Sequence, residues 1–491
     1  MNNINIASCE GYDVLIYISD QHTADVAGFM GNGIIRTPHL DKIAKNSFVF
    51  NNAYTSCPLC VPARASFLTG QLPSNLNVFD NASDFKSGDV TFAHSFALKG
   101  YDTNLIGRMH FIGLDHFHGF TRRYAKDMTS SYWGCASENR KELGDFGRSL
   151  YQKHCLELVG SGDSPILAYD RDVVSHALEF YSQDYDKPQM TVVGTYSPHF
   201  SYIAPSEIME HYRDKLKALY KDEIVDFNLP PIDAKVQKTS KEDIIELRAA
   251  YYAMVEIMDE QIGAVYEKYM EYLKRNNRKG IFVYMSDHGD QLGCMGIYGK
   301  QTFFEKSARI PLLISVEGVN GSKIDDAVSI MDIGQTLCLL CGADVPPLSE
   351  GIPFIDLMKG EHHDERYAIS EFYDNQIKPC IRGYMVFKDF WKYIVYEGYE
   401  NKELLFDLRR DRSEYKNIAC DYPNKLREMR NLLKKDSRVK NRTEEYFKGI
   451  KNHLFLNKVG KGQTDLNIYM YNPPEEAIHV NESCKRAERD W

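Results

Sequence analysis

Four short, largely apolar runs constrain this chain more than any other feature: residues 14–19, 102–107, 190–195 and 280–285. They are too short for core-facing helices and read as strands buried on both faces, the kind that fills the middle of a parallel sheet. Each leads straight into polar groups: Asp20-Gln21-His22, Arg108-Met109-His110, Tyr196-Ser197-Pro198-His199 and Ser286-Asp287-His288. Ligands gather at the carboxyl ends of strands in open α/β sheets, so Asp20, Arg108, His199 and Asp287 are expected to meet at one sheet edge. The expected fold class is α/β, with a mostly parallel central sheet sandwiched by helices.

A second feature places a reactive group at that edge. Residues 57–70 read Cys-Pro-Leu-Cys-Val-Pro-Ala-Arg-Ala-Ser-Phe-Leu-Thr-Gly. Pro62 suits only a first helical turn, and Gly70 falls where a C-cap belongs. Cys60 is therefore expected at a helix start, where unpaired N–H groups, the positive end of the helix dipole and the Arg64 guanidinium suit a tetrahedral oxyanion. Other readings stay open. Cys57 and Cys60 form a Cys-x-x-Cys pair, either a redox motif or half of a zinc site completed by Cys338 and Cys341. The latter pair lies in or beside a helix-like apolar run, 333–340, where Cys usually packs as a small hydrophobe.

The run Cys60-x-Pro62-Ala63-Arg64 with Leu68-Thr69-Gly70 resembles the signature of the type I sulfatases of the alkaline phosphatase superfamily. So do Thr37-Pro38-x-Leu40-Asp41, Asn52-Ala53-Tyr54, Pro198-His199, and Ser286-Asp287-His288-Gly289-Asp290 followed by Lys300. The branch it most resembles is that of the choline sulfatases and phosphonate monoester hydrolases. The resemblance implies a sulfuric ester hydrolase whose Cys60 is converted to formylglycine by a maturation enzyme. It implies one divalent ion on Asp20, Gln21, Asp287 and His288. Calcium comes first, with manganese and zinc open because Gln21 and His288 supply an amide and an imidazole. Arg64, Arg108 and Lys300 would balance charge on the sulfuryl oxygens. His199 or Lys300 would protonate the departing alcohol, and His110 would take a proton in the release step. Arg108 stands where the family usually carries Lys, which keeps the charge but changes its reach. Asn81 and Trp133 are candidate substrate contacts, and Trp133 with Glu371 suits a quaternary ammonium. The substrate is then a small-molecule or saccharide sulfate ester. The alternative is a phosphonate monoester or phosphodiester hydrolase built on the same site.

The 491-residue length favours a large unit and a smaller one. The expected division is a catalytic α/β domain over 1–365 and, over 366–491, a subdomain of antiparallel strands and a helix near 423–435 with a polar tail. Within the first, 48–54 reads as one strand delivering the chain to Cys60, 201–237 as an irregular covering segment, and 240–274 as one long amphipathic helix begun by Ser240-x-x-Asp243. With 59 basic against 69 acidic residues the net charge is −10, which offers no field for nucleic acid. No run is long and apolar enough to span a membrane, and the first residues lack a leader pattern. Together with eleven cysteines in no framework spacing, this gives a cytoplasmic expectation. A homo-oligomer is the state common in that branch.

Overall fold

The strand Asp13–Ser19 (β1) is buried along its whole length because it runs through the middle of an eight-stranded sheet. The computed structural model describes residues 8–128, 141–220, 225–374, 380–460 and 470–486. The other strands of this sheet are Phe48–Phe50 (β2), Asp102–Gly107 (β3), Arg122–Tyr124 (β4), Gln189–Gly194 (β5), Gly280–Ser286 (β6), Leu312–Val316 (β7) and Lys323–Ile324 (β8). Their spatial order is β8-β2-β7-β6-β1-β5-β3-β4. Neighbours run parallel except at β7, which opposes both β2 and β6. The sheet is mostly parallel, as the four continuous runs predict.

Register brings the strand ends level. Ser19 lies beside Ser286, Ile18 beside Gly194, and Gly194 beside Gly107. Cross-strand bonds continue past the ends, from Asp20 N–H to Ser197 O (3.3 Å), Arg108 N–H to Gly194 O (2.8 Å) and Asp287 N–H to Ser19 O (3.4 Å). Glycine is required at 194, because a Cβ there would lie 1.9 Å from the Arg108 carbonyl oxygen.

Alternation along β1 divides the core. Val14, Ile16 and Ile18 pack in one cluster with Phe67 and Leu68 of the helix Cys60–Thr69 and Ile333 and Leu337 of the helix Met331–Leu340. Leu15 and Tyr17 pack in another with Leu247, Tyr251, Met254, Met258 and Ile262 of the helix Lys241–Arg275. Helices thus cover both faces, as period-2 side-chain geometry requires. The long helix begins where expected, with the Ser240 side chain accepting from Asp243 N–H.

A four-stranded antiparallel sheet follows: Ala368–Asp374 (β9), Ile381–Lys388 (β10), Trp391–Tyr396 (β11) and Leu404–Asp407 (β12), then the helix Pro423–Lys435. Val386, Tyr393 and Leu405 join the same cluster as Val14 and Ile16, so this sheet shares the large core.

Two local expectations are corrected. The segment 201–237 is not irregular throughout, since Ser206–Leu219 is a helix that buries Met209, Tyr212 and Leu216. Flanking prolines and a polar composition masked that spacing of three and four. The strand expected over 48–54 breaks at Asn51-Asn52, and Ala53–Tyr54 joins a separate three-stranded sheet. Among the described residues, no helix is long and apolar enough to cross a membrane.

Candidate active site

The polar residues that follow β1, β3, β5 and β6 converge around Cys60. Cys60 is the first residue of its helix, Leu59 caps it, and Gly70 ends it in the left-handed region (φ 71°). The Asn81 side-chain oxygen accepts from Val61 N–H (3.0 Å), capping the same helix end from outside. Cys60 Sγ lies 3.1 Å from His288 Nε2 and 3.6 Å from Asp20 Oδ1, and it accepts from Lys300 Nζ at 3.0 Å.

Cations brace the two carboxylates. Arg64 donates through Nε to Asp287 Oδ2 (2.8 Å), through Nη2 to Asp20 Oδ2 (3.2 Å) and through Nη1 to the Arg108 carbonyl (3.2 Å). Arg108 Nε donates to Asp20 Oδ2 (2.7 Å), and its guanidinium carbon lies 4.1 Å from the centre of the Tyr196 ring. The second oxygen of Asp287 accepts from Gln21 and His288 N–H (3.1 and 2.9 Å). Gln21 reaches it in the left-handed region (φ 70°), a cost that a side chain normally avoids. Its amide is fixed at both ends. Gln21 Oε1 accepts from Lys300 Nζ (2.7 Å), and Nε2 donates to Asp290 Oδ2 (2.5 Å), which also accepts from Tyr202 OH (2.7 Å).

Carbonyl contacts fix two histidine tautomers, because a carbonyl only accepts. His288 Nδ1–H donates to Gly289 O (3.0 Å) and His199 Nδ1–H to Phe200 O (2.6 Å), so Nε2 of each neutral ring is bare. Asp170 holds the loop before His199 by accepting from Tyr196 and Ser197 N–H (2.6 and 2.8 Å).

The electrostatics follow from burial. Burial opposes ionisation of Asp20, but Arg108 foremost, with Arg64 and Lys300, overcomes it and holds the carboxyl well below its usual range. Burial, then the Lys300 charge, holds His199 well below the usual imidazole range, and burial lowers His288. Burial, then the Asp20 carboxylate, pushes the Cys60 thiol up to about 11. A thiol so placed is a poor nucleophile at neutral pH.

Donor atoms of Asp20, Cys60, Asp287 and His288 all lie within 4.8 Å of one another. Carboxylate oxygens and a bare imidazole nitrogen fit a divalent cation, and this buried group could hold one. Asp80 and Ala82, which flank Asn81, and Ile112, two residues past His110, line a cavity of about 550 Å³ with Tyr446, Ile450 and His453.

The structure therefore brings together Cys60, Arg64, Arg108, His110, His199, Lys300, Asp20, Gln21, Asp287 and His288, with Asn81 at the helix start. Trp133 lies outside the described residues. Glu371 is not free to meet a cationic substrate, because it pairs with Arg382 (2.7 Å) and accepts from Ser74 N–H (2.8 Å) in full burial. The four-cysteine zinc site is also corrected. Cys338 and Cys341 lie in the apolar cluster of β1, whereas Cys57 packs in a different one. Among the described residues, neither group of possible metal ligands includes any of the three.

Sequence reasoning missed Asp127 and gave Asp290 no role. Asp290 stands in the quoted run after Asp287, and its spacing was the available signal. Asp127 follows an edge strand with no motif around it, and it accepts from Arg108 Nη1 (3.1 Å) and His110 N–H (2.8 Å).

Known proteins resemble this chain over most of its length. A family profile described as "Sulfatase" matches residues 13–343, and one described as "N-sulphoglucosamine sulphohydrolase, C-terminal" matches 293–442. A choline-sulfatase of Rhizobium meliloti (strain 1021) is 31% identical over 430 residues, covering 83% of this chain and 82% of its own. An arylsulfatase of Clostridium perfringens (strain 13 / Type A) is 27% identical over 474 residues, covering 89% and 96%. The crystal structure of the phosphonate monoester hydrolase of Agrobacterium radiobacter superposes with a TM-score of 0.67 at 19% identity, covering 90% of this chain and 96% of that one.

Proposed function

The chain belongs to the sulfatase family of the alkaline phosphatase superfamily, and on that premise we propose that it hydrolyses a sulfate monoester through a formylglycine made from Cys60 by a separate maturation enzyme. One observation carries this reading. Cys60 stands at a helix start with its side chain against His288 Nε2, Lys300 Nζ and Asp20 Oδ1. In the net reaction one water is consumed, the bond between sulfur and the ester oxygen breaks, and an alcohol and sulfate leave.

A divalent ion held by Asp20, Gln21, Asp287 and His288, calcium first and manganese or zinc after it, would supply Lewis-acid polarisation of a sulfuryl oxygen. Formylglycine at position 60, as its hydrate, would supply an oxygen nucleophile. The chain's own residues do the rest. Arg64 and Arg108 hold the two carboxylates in register and balance their charge. Lys300 brings N–H donors to the reacting position and is placed to give a proton to the departing alcohol. His199 offers a bare Nε2. The cavity beside Asn81 is within the size range of small-molecule sites and would take the alcohol, either a small molecule or a saccharide unit.

The test joins mass to turnover. The peptide containing residue 60, made with the maturation enzyme, should carry one oxygen in place of the thiol sulfur and two hydrogens. The same preparation should hydrolyse an aryl sulfate faster than an aryl phosphonate monoester. An unmodified Cys60 in an active preparation overturns the formylglycine reading. Preference for the phosphonate makes the chain a phosphonate monoester hydrolase instead.

A further inference from the structure

Resting on that reading of the site, we propose that Asp127 is a positioning residue that, through Arg108, fixes His110 with its ring proton on Nε2. His110 then serves as a hydrogen-bond donor and not as the proton acceptor that family resemblance implies.

The geometry begins at the edge of the sheet. Asp127 is buried just beyond β4, and its backbone carbonyl accepts from Tyr471 N–H (2.7 Å), so a segment from the far end of the chain pins it. Its two oxygens divide their work. Oδ1 accepts from Arg108 Nη1 (3.1 Å) and Oδ2 from His110 N–H (2.8 Å). The second contact steadies His110 in the left-handed region (φ 57°), where a residue with a side chain needs support.

Arg108 is thereby held from several sides. Nε is on Asp20, Nη1 on Asp127, Nη2 on His110 Nδ1 at 2.7 Å, and the guanidinium plane lies against Tyr196. Lysine, with all its N–H bonds on one nitrogen, cannot meet acceptors spread around a planar fork. Asp127 and Tyr196 thus give a physical reason for arginine at this position.

The consequence falls on His110. A guanidinium only donates, so His110 Nδ1 must accept, and a neutral ring then carries its proton on Nε2. To act as a base His110 would need a bare Nε2, which moves a proton onto Nδ1 against Arg108 N–H. Its full protonation meets the same obstacle. The other two histidines are arranged the opposite way, each giving its Nδ1–H to a carbonyl. His110 is then the ring that offers an N–H, suited to an oxygen of the substrate group, and His199 is the ring left to accept a proton.

Nitrogen NMR of histidine-labelled protein tests this without substrate, with the His110 signals assigned by their loss in His110→Gln. The expected result is a protonated Nε2 and a bare Nδ1, changing to mixed tautomers in Asp127→Asn. A protonated Nδ1 in the unsubstituted protein overturns the proposal. Turnover gives a second readout. His110→Ala should cost about a hundredfold in kcat. His110→Gln, whose amide can donate but cannot act as a base, should stay within about tenfold of the parent. Equal loss in both variants also overturns it. Asp127→Asn should lower kcat with little change in KM, and Asp127→Glu should recover part of it. Because the tautomer is read with no ester present, failure to hydrolyse sulfate esters would sink the function proposed above and leave this result standing.

Discussion

Around Cys60 and around Lys392 the protein buries charges of both signs, but the two groups are finished differently. At the second, Glu305 Oε1 accepts from Tyr54 OH (2.7 Å) and Lys392 Nζ (3.1 Å), and Oε2 from Arg412 Nε (3.3 Å). Lys392 also lies 2.9 Å from Glu414, whose other oxygen accepts from Glu305 N–H (2.5 Å). These contacts stitch β11 and the loop around residue 412 to the segment after Lys300, and each charge ends on a partner. At the first, Arg64 takes one oxygen each of Asp20 and Asp287, Arg108 shares that oxygen of Asp20, and Lys300 Nζ stands 4.0 Å from the other oxygen of Asp20. The inner oxygens, His288 Nε2 and Cys60 Sγ face one another. Buried charge is costly in both places. One arrangement is closed and holds elements together, while the other stays open and can hold an ion and a reacting group.

The sharpest test of that contrast is Cys60→Ala. Turnover should fall by about ten-thousand-fold or more, as for the loss of a covalent nucleophile. The thermal midpoint should move by only about 2 °C. A large loss of stability would mean that the open group is structural after all. Lys392→Met should do the reverse. It takes from Glu414 its cation and from Glu305 one of several donors, and should cost about 3–5 kcal/mol in urea unfolding. The kcat/KM of the folded fraction should stay within about threefold. Removing divalent ions with a chelator should abolish turnover and, for an ion present at about 100 times its Kd, lower stability by about 2.7 kcal/mol. Readdition should restore both, and the Lys392 group should not respond.

The smallest effect concerns pH. Burial, opposed by Lys392 and reinforced by Glu305, pushes Glu414 up to about 7, above its ordinary 4.5. Between those values the folded protein binds more protons than the unfolded chain, so this group's contribution to stability falls as pH rises through the window. Glu414→Gln should flatten that slope, read from urea midpoints at pH 4.5 and 7.5. An unchanged slope would show that the closed group does not titrate there.

Much of the open group was legible because its residues follow continuous apolar strands, and strand ends in such sheets share a level. Asp20, Arg108, His199 and Asp287 were found that way, and Cys60 by helix-start chemistry. Asp127 was not, because its importance comes from meeting Arg108 and His110 in space, and edge strands such as β4 carry little pattern. Glu371 was misread for a related reason. In sequence a lone acid advertises charge, while its partner Arg382 sits across a strand pair that only folding brings together. The fold was clearest where hydrophobic period was strong, in the helix Lys241–Arg275. It was obscured where prolines and charges interrupt it, in Ser206–Leu219.

Cys60 is 1% exposed, at the base of a helix roofed by the strand ends. An enzyme large enough to carry its own active site cannot close around a side chain in that position. On the reading proposed above, the maturation enzyme would meet residue 60 while the segment 57–70 is still an open ribbon, before β6 and Lys300 have been laid against it. The chain's chemistry would then be decided by a race during its synthesis, and a molecule that folds first would keep its sulfur for life.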